Sequence, residues 1–281
     1  MSSEVGVLDE DALQELLDED PDAGLSLLAD LAGATDRELA AKARRLAARI
    51  MIHFARSGAP RAGAARMRTR PLSSTPGDID IDASMEAFAA NPARGSGPRV
   101  TDPSALRVSA WTRHDTALCL LVDRSGSMAG DRLATAAIGA AAVLHRVPRD
   151  SSVVCFSDRA VVVRSQDSDR DVEAVLGDVF TLRGFGITDL GLALRAGASQ
   201  LARSTAGRRV AVLLSDCRAT AGGDPLPHAA GMDELVVLAP AEDTADAEAF
   251  AMALGARWAP VAGPSSIPAA LDSVLGGVVR G

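Results

Sequence analysis

The sequence predicts an α/β protein with a doubly wound, mostly parallel sheet, one antiparallel edge strand and an N-terminal helical extension. From residue 115 onward, short apolar runs alternate with helical stretches, which is typical of a parallel sheet covered by helices. The runs lack polar alternation, as expected of strands buried on both faces. Two runs, 152–156 and 160–164, lie too close together for a helical crossover and therefore predict a hairpin.

The other elements follow the same alternation. Further strands are predicted over the apolar runs 116–122, 209–214, 234–239 and 258–262. Helices are predicted near 131–146, 170–180, 188–203, 244–255 and 266–276. In a sheet of this kind, ligands bind beyond the carboxyl ends of the strands. Polar residues that directly follow the apolar runs are therefore the first candidates for a functional site.

Residues 1–56 predict a helical N-terminal region. The apolar faces of two short helices are marked by Leu13, Leu16 and Leu17, and by Leu25, Leu28 and Leu31. Pro21 fits the first turn of the second helix, with Asp20 as its cap. A third, longer helix starts at Thr35, which has capping-box spacing to Glu38, and ends at Ser57.

Residues 57–77 predict a basic flexible linker, because they are rich in Gly, Pro, Ser, Ala and Arg. Contact with an anion or with RNA is the alternative function for this segment. The scarcity of aromatic residues, which make up 3% of the chain, disfavours RNA. A domain covering 115–281 is expected to follow the connecting region.

Residues 78–114 predict connecting strands and a loop. Asp78, Asp80 and Asp82 alternate with apolar residues, which predicts a strand with three carboxylates on one face. We favour a face turned to water over a metal site, because like charges in a row repel one another. A short helix over 84–90 and a strand over 105–112 are expected further along.

The composition excludes several functions. The single lysine, Lys42, lies outside any G-K-[ST] sequence, so a Walker A loop is absent from this sequence. Cys119, Cys155 and Cys217 are widely spaced and odd in number, which predicts buried thiols instead of disulfides or a zinc site. The sequence shows neither a signal peptide nor an apolar run of membrane-spanning length, and we expect a cytoplasmic location.

Five oxygen-bearing side chains follow the ends of predicted strands or open a helix. Asp123, Ser125 and Ser127 occupy alternate positions after one strand, Thr188 caps a helix, and Asp216 follows another strand. Hard oxygen donors favour Mg²⁺, with Mn²⁺ or Ca²⁺ as alternatives. With only two carboxylates, the ion would stay electrophilic and would take a further carboxylate from outside the chain.

These residues resemble the metal-ion-dependent adhesion site of von Willebrand factor A (VWA) domains. The resemblance covers roughly 115–278 and rests on Asp-x-Ser-x-Ser, a threonine that opens a helix, and an aspartate after the next long strand. It implies that Ser125, Ser127 and Thr188 ligate the metal directly or nearly so. It implies that Asp123 and Asp216 coordinate the metal or hold its waters.

The surroundings of this site predict a partner-binding rim. We place Arg124, Met128, Asp189 and His228 on it. Asp189 is not in the usual ligand set of the family and is otherwise explained as a carboxylate at a helix start. The family often has glycine where this chain has Cys217, and we expect that side chain to crowd the rim.

The first part of the chain resembles bacterial cytosolic VWA proteins that partner MoxR-type AAA+ ATPases. This group includes carbon-monoxide-dehydrogenase accessory proteins and chelatase D-type subunits. The resemblance implies a Mg²⁺-dependent adaptor, not an enzyme, that couples an ATPase to a client protein supplying a carboxylate. It implies no nucleic acid and no membrane as partners.

Two other functions remain open from the residues. One is a subunit of a chelatase-like metal-insertion complex, which differs from the adaptor only in its client. The other is a metal-dependent hydrolase. The hydrolase is disfavoured because no motif pairs a histidine with a serine and no general base is evident in the sequence.

Overall fold

The computed structural model describes residues 9–33, 37–57, 66–71, 78–90, 106–112, 116–126, 130–182, 184 and 186–276. The chain divides into two compact units. The larger one combines Met1–Pro60 with Thr116–Gly281, and the smaller one is Arg61–Asp115. The larger unit is therefore built from two separate stretches of sequence.

The described elements are numbered in chain order. The strands are β1 (Arg66–Pro71), β2 (Asp78–Ile79), β3 (Arg107–Thr112), β4 (Thr116–Asp123), β5 (Ser151–Phe156), β6 (Ala160–Arg164), β7 (Arg208–Leu214), β8 (Glu234–Pro240) and β9 (Arg257–Val261). The helices are α1 (Glu10–Glu19), α2 (Pro21–Ala32), α3 (Arg37–Ser57), α4 (Ile81–Ala90), α5 (Gly130–Arg146), α6 (Val172–Val179), α7 (Leu190–Leu201), α8 (Leu226–Ala230), α9 (Ala245–Leu254) and α10 (Ile267–Leu275). Within the described residues, none of these helices has both the length and the apolar character needed to cross a membrane.

The larger unit contains a six-stranded sheet in the order β6-β5-β4-β7-β8-β9. All neighbouring strands are parallel except β6, which pairs antiparallel with β5 at one edge. The predicted α/β fold, its hairpin and its antiparallel edge strand are confirmed. Each predicted strand and helix of this region is present, with ends that differ by at most a few residues.

Alternate residues of the central strand β4 enter two separate cores. Leu118, Leu120 and Val122 belong to one apolar cluster, and Cys119 and Leu121 belong to the other. The first cluster is covered by α5, α6, α10 and the N-terminal helices, and the second by α7 and α9. This double coverage explains why the central residues of these strands are apolar at consecutive positions. The predicted burial of the three free cysteines is also confirmed.

The N-terminal helices are part of the larger unit. Leu25 and Leu28 of α2 are fully buried in the same cluster as β4 and α5. Asp20 caps α2 as predicted, because its carboxylate accepts the N–H of Ala23 at 3.0 Å. The helix α3 is described from Arg37 onward, so the predicted start at Thr35 lies outside the described residues.

The smaller unit corrects the linker predicted over 57–77. Part of that segment forms β1, which pairs antiparallel with β3 in a three-stranded sheet of order β1-β3-β2. A strand forms because pairing with β3 satisfies the backbone groups that a flexible linker would leave to water. The rest of the predicted linker, apart from Ser57 at the end of α3, lies outside the described residues.

The smaller unit also overturns the predicted row of carboxylates. Only Asp78 lies in the short strand β2, and Asp82 lies in the first turn of α4. Between them, Asp80 accepts the N–H of Ala83 at 3.0 Å and the hydroxyl of Ser109 at 2.7 Å. These bonds hold the pKa of Asp80 below its usual range. Asp80 therefore ends the strand and starts a helix, because its side chain satisfies an N–H of the first turn.

The hairpin β5–β6 is closed by a buried arginine. Arg164 is 3% exposed and donates to the carbonyls of Pro148 (2.7 Å), Ser168 (2.7 Å) and Arg170 (3.3 Å). It also donates to the carbonyl and the hydroxyl of Ser151. One guanidinium thus joins the loop before β5, the start of β5 and the loop after β6.

Replacing Arg164 by leucine should lower the free energy of unfolding by at least about 3 kcal/mol, because several buried carbonyls would lose their donor. Urea unfolding followed by circular dichroism measures this loss. Arg159→Leu is the control, since its side chain is 85% exposed and lies 4.0 Å from Asp158. Equal losses in the two variants would contradict a structural role for Arg164.

Candidate metal centre

The three neighbouring strands β5, β4 and β7 are parallel, so their carboxyl ends meet at one edge of the sheet. Asp123 is the last residue of β4, Phe156 is the last of β5, and Asp216 follows β7. The start of α7 is held at the same edge, because the N–H of Asp189 donates to the carbonyl of Ser157 at 3.1 Å. The edge therefore brings together all three segments that the sequence predicts for the site.

Both carboxylate oxygens of Asp123 accept hydrogen bonds. Oδ1 accepts the backbone N–H of Ser125 at 2.8 Å, and Oδ2 accepts the hydroxyl of Ser215 at 2.6 Å. The Ser215 oxygen in turn accepts the N–H of Cys217 at 2.9 Å. Sequence reasoning gave Ser215 no role, although a hydroxyl directly before Asp216 at a strand end is the signal that would have found it.

The electrostatics of the edge favour a cation. Burial raises the pKa of the half-buried Asp123, and the negative charge of Asp216 raises it further. The hydrogen bonds from Ser215 and Ser125 act in the opposite direction and offset part of the shift. A bound cation would stabilise both carboxylates, because it adds the positive charge that favours their ionised form.

The segment after Asp123 turns sharply. Gly126 has a φ of 73°, and a Cβ at this position would lie 2.9 Å from Nη1 of Arg132. The same Nη1 donates to the carbonyl of Ser125 at 3.1 Å and so fixes that peptide. The predicted ligand Ser127 and the predicted rim residue Met128 lie outside the described residues.

Thr188 is buried beside the start of α7. Its N–H donates to the hydroxyl of Thr220 at 2.9 Å, and its carbonyl accepts the N–H groups of Thr220 and Ala221. The prediction that Thr188 caps α7 is wrong. The cap is Asp189, whose Oδ1 accepts the N–H of Leu192 at 2.8 Å. Since the carboxylate already satisfies the first turn, the Thr188 hydroxyl is not needed as a cap.

Asp216 is half-buried after the end of β7. Its Oδ1 accepts the N–H of Arg218 at 3.0 Å. The guanidinium of Arg218 pairs with Asp243 at 2.7 Å and with Asp246 at 2.9 Å. The nearest basic residue along the chain is therefore engaged by two other carboxylates.

Cys217 occupies the left-handed backbone region, with a φ of 62°. Among the described residues, it alone combines a side chain with a positive φ. This conformation explains why VWA domains often have glycine here, since glycine adopts it without steric penalty. The expected crowding of the rim is wrong, because the Cys217 side chain is buried in the core covered by α7 and α9.

The structure corrects one rim residue. Arg124 is 7% exposed, so the prediction that it lies on an exposed rim is wrong. Its N–H donates to the carbonyl of Phe156 at 2.9 Å, which ties this residue to the neighbouring strand. Burial raises the pKa of the Cys155 thiol, which lies in the core beside β4, and the charge of Arg124 offsets part of that shift. Arg124 thus belongs to the interior and cannot offer its side chain to a partner.

The other rim candidates lie around α7 and α8. Asp189 faces Gly222, where a Cβ would come within 2.5 Å of its Oδ1. Nε2 of His228 lies 2.9 Å from Nη1 of Arg195. Because arginine only donates hydrogen bonds, this contact assigns Nε2 as an acceptor and places the proton on Nδ1. His228 therefore faces the guanidinium of Arg195.

The donor set suits a hard cation. Within the part of the chain that the structure describes, no group of three or more His, Cys, Asp or Glu side chains could hold a metal. A cation at this edge would depend on the two carboxylates of Asp123 and Asp216 and on neutral hydroxyls such as those of Ser125 and Thr188. Oxygen-only sets of this kind fit Mg²⁺, which usually retains several waters.

Comparisons with known proteins identify the domain. The profile of the family described as VWA domain containing CoxE-like protein matches residues 51–264, about three quarters of the chain. A search of curated proteins returned no match.

Several solved structures resemble part of this chain. A von Willebrand factor type A structure from Catenulispora acidiphila is 17% identical, over 57% of this chain and 42% of its own, with a TM-score of 0.46. The manganese-loaded TRAP protein of Plasmodium vivax is 16% identical, over 58% of this chain and 74% of its own, with a TM-score of 0.45. An aerotolerance-related membrane protein from Bacteroides fragilis is 17% identical, over 58% and 98%, with a TM-score of 0.45. These sequence identities and TM-scores are too low to support an argument about function.

The left-handed backbone at Cys217 predicts which of two substitutions at this position is the more stable. Cys217→Gly should be more stable than Cys217→Ala by about 1 kcal/mol, because only glycine is free of steric penalty at this φ. At an ordinary position the order is reversed, since glycine loses more conformational freedom on folding. Thermal unfolding of the two variants measures the difference. A more stable alanine variant would contradict the left-handed conformation.

Proposed function

This chain belongs to the family of VWA domain containing CoxE-like proteins, and from this premise we propose that it is a cation-dependent adaptor that binds other proteins. The observation that carries the proposal is the pairing of Asp123 with Asp216 at the sheet edge. Burial and the second negative charge both raise the pKa of Asp123. A bound cation would reduce the electrostatic repulsion between these two carboxylates.

The proposed ligands are Asp123, Ser125, Ser127, Thr188 and Asp216. We propose Mg²⁺ as the ion, with Mn²⁺ or Ca²⁺ as alternatives, because the available donors are hard oxygens. When bound, the ion would supply an electrophilic position that accepts a carboxylate. The protein's own residues position the site: Ser215 and the Ser125 amide orient Asp123, and the Arg218 amide orients Asp216.

The partner is proposed from its chemistry. An ion held by two carboxylates and neutral hydroxyls retains positive charge, and an acidic side chain of a client protein would complete its coordination. The resemblance to cytosolic VWA proteins supports a MoxR-type AAA+ ATPase as the second partner and a cytoplasmic location. Neither nucleic acid nor a membrane is part of the proposal.

We propose binding and not catalysis. The hydroxyl of Ser215 donates to Asp123, and its oxygen also accepts the Cys217 amide, so Ser215 is fixed as a structural link. His228 is occupied by Arg195. An attacking hydroxyl must reach its substrate, whereas Ser215 is buried at 5% exposure.

Cation binding is tested first. Wild type should gain thermal stability in Mg²⁺ or Mn²⁺, by about 2.7 kcal/mol at a hundred times the dissociation constant. Asp123→Ala should lose this gain, because one of the two carboxylates is gone. Asp189→Ser is the matched control, since serine retains a helix cap and Asp189 is not a proposed ligand. Unchanged unfolding of wild type in either ion, confirmed by calorimetric titration, would refute the cation site.

Partner binding is tested by affinity capture with tagged wild type, Asp123→Ala and Asp233→Ala, each in Mg²⁺ and in EDTA. Asp233 pairs with Arg209 at the amino ends of the strands, at the edge of the sheet opposite the proposed site. The adaptor proposal expects a client and an AAA+ ATPase to be retained by wild type and Asp233→Ala only in Mg²⁺. Purified candidates are then titrated calorimetrically against the same variants. If every variant captures the same partners in both Mg²⁺ and EDTA, the partners bind independently of the cation site. If wild type hydrolyses a phosphate ester and Asp123→Ala does not, the adaptor proposal is wrong and the protein is an enzyme.

A further inference from the structure

One side of α2 carries a regular polar stripe. Asp22, Ser26 and Asp30 are spaced four residues apart, so they lie along one face of the helix. Asp30 accepts the N–H of Gly130 through Oδ1 at 2.7 Å. The hydroxyl of Ser26 donates to the carboxylate of Asp131. All of these residues belong to the larger unit, so the N-terminal extension touches the start of α5 directly.

Gly130 closes the segment that begins at Asp123. It is the first residue of α5 and has a φ of 51°. The first N–H groups of a helix have no partner within the helix, and a carboxylate that accepts one acts as its cap. Asp30 performs this role for α5 although it lies 100 residues away along the chain.

The other end of the same segment is anchored to the sheet. The Arg124 N–H donates to the Phe156 carbonyl, and Arg132 donates to the Ser125 carbonyl. The segment 124–130 contains two of the proposed ligands, Ser125 and Ser127. It is therefore tied to the sheet at one end and to the N-terminal extension at the other.

The docking of α2 does not depend on this polar contact. Leu25, Leu28, Ala29 and Ala32 are fully buried in the core that includes α5. The area that these side chains remove from water is the main favourable contribution to docking. The polar stripe instead selects where along α2 the start of α5 is held.

We propose that Asp30 is a positioning residue for the cation site, and that the N-terminal extension thereby clamps the segment that carries Ser125 and Ser127. The inference rests on the proposed cation site and adds a specific role for the helical extension. Loss of the clamp would leave the fold intact and would weaken cation binding, because Gly130, which follows the ligand Ser127 closely in sequence, would lose the bond that holds it.

The same helix provides a matched control. Asp22 accepts the N–H of Ser265 at 2.7 Å, in the 3₁₀ turn Pro264–Ser266 before α10. Like the bond between Asp30 and Gly130, this bond joins a carboxylate of α2 to a backbone N–H. The turn carries none of the proposed ligands, so Asp22→Ala should release the Ser265 amide without touching the cation segment.

The experiment compares wild type, Asp30→Ala, Asp30→Asn and Asp22→Ala in the full chain. Hydrogen exchange of the Gly130 amide is measured by NMR in EDTA, and affinity for Mg²⁺ and Mn²⁺ is measured by calorimetry. Asp30→Ala should speed Gly130 exchange and weaken affinity by about fivefold each, the typical effect of a lost cap. Asp30→Asn should retain both, because its amide oxygen can accept the same bond. Asp22→Ala should speed exchange at Ser265 and leave affinity within about twofold of wild type.

Two results would overturn the clamp. One is unchanged Gly130 exchange in Asp30→Ala, and the other is an equal loss of affinity in Asp30→Ala and Asp22→Ala. If wild type binds neither ion, the cation site itself fails. Gly130 exchange still reports separately whether Asp30 holds the segment. If wild type binds the ion and Asp30→Ala binds it equally well, the clamp fails while the proposed function stands.

Discussion

The site depends on the parallel pairing of β4 with both β5 and β7. Parallel neighbours end at the same edge of a sheet, so residues far apart in sequence become neighbours there. Asp123 and Asp216 are brought together in this way. The rest of the structure serves this arrangement, because two cores hold the central strands flat between layers of helices.

Two carboxylates at one edge repel each other, and hydrogen bonds from backbone and hydroxyl donors offset only part of this repulsion. Ser215 connects β4 to the segment after β7, since its hydroxyl donates to Asp123 and its oxygen accepts the Cys217 amide. The left-handed conformation of Cys217 forms part of the same turn. Backbone strain, hydrogen bonding and charge are thus concentrated in a few residues, a pattern typical of functional sites.

Patterns that depend on burial could be predicted from the sequence, whereas several features that depend on a single side chain could not. The apolar runs of the sheet predicted every strand from β4 onward, because burial on both faces leaves little freedom in composition. The alternating aspartates looked like a strand, but one local bond from the Ala83 amide to Asp80 started a helix instead. Likewise, Thr188 was predicted to cap α7, and only the geometry showed that the neighbouring Asp189 holds that role. Arg124 was misassigned because a charged residue after a strand usually faces water.

The larger unit is completed by two stretches of chain that flank the smaller unit in sequence. The helices at the beginning of the chain pack on one another and on α5, so their packing is completed only by later sequence. The segment between the two stretches acts as the loop whose closure this assembly requires. Each doubling of such a loop adds only about 0.6 kcal/mol of closure entropy. Insertions there should therefore be well tolerated, which makes this segment a place where relatives of the chain can diverge in length while the domain itself is preserved.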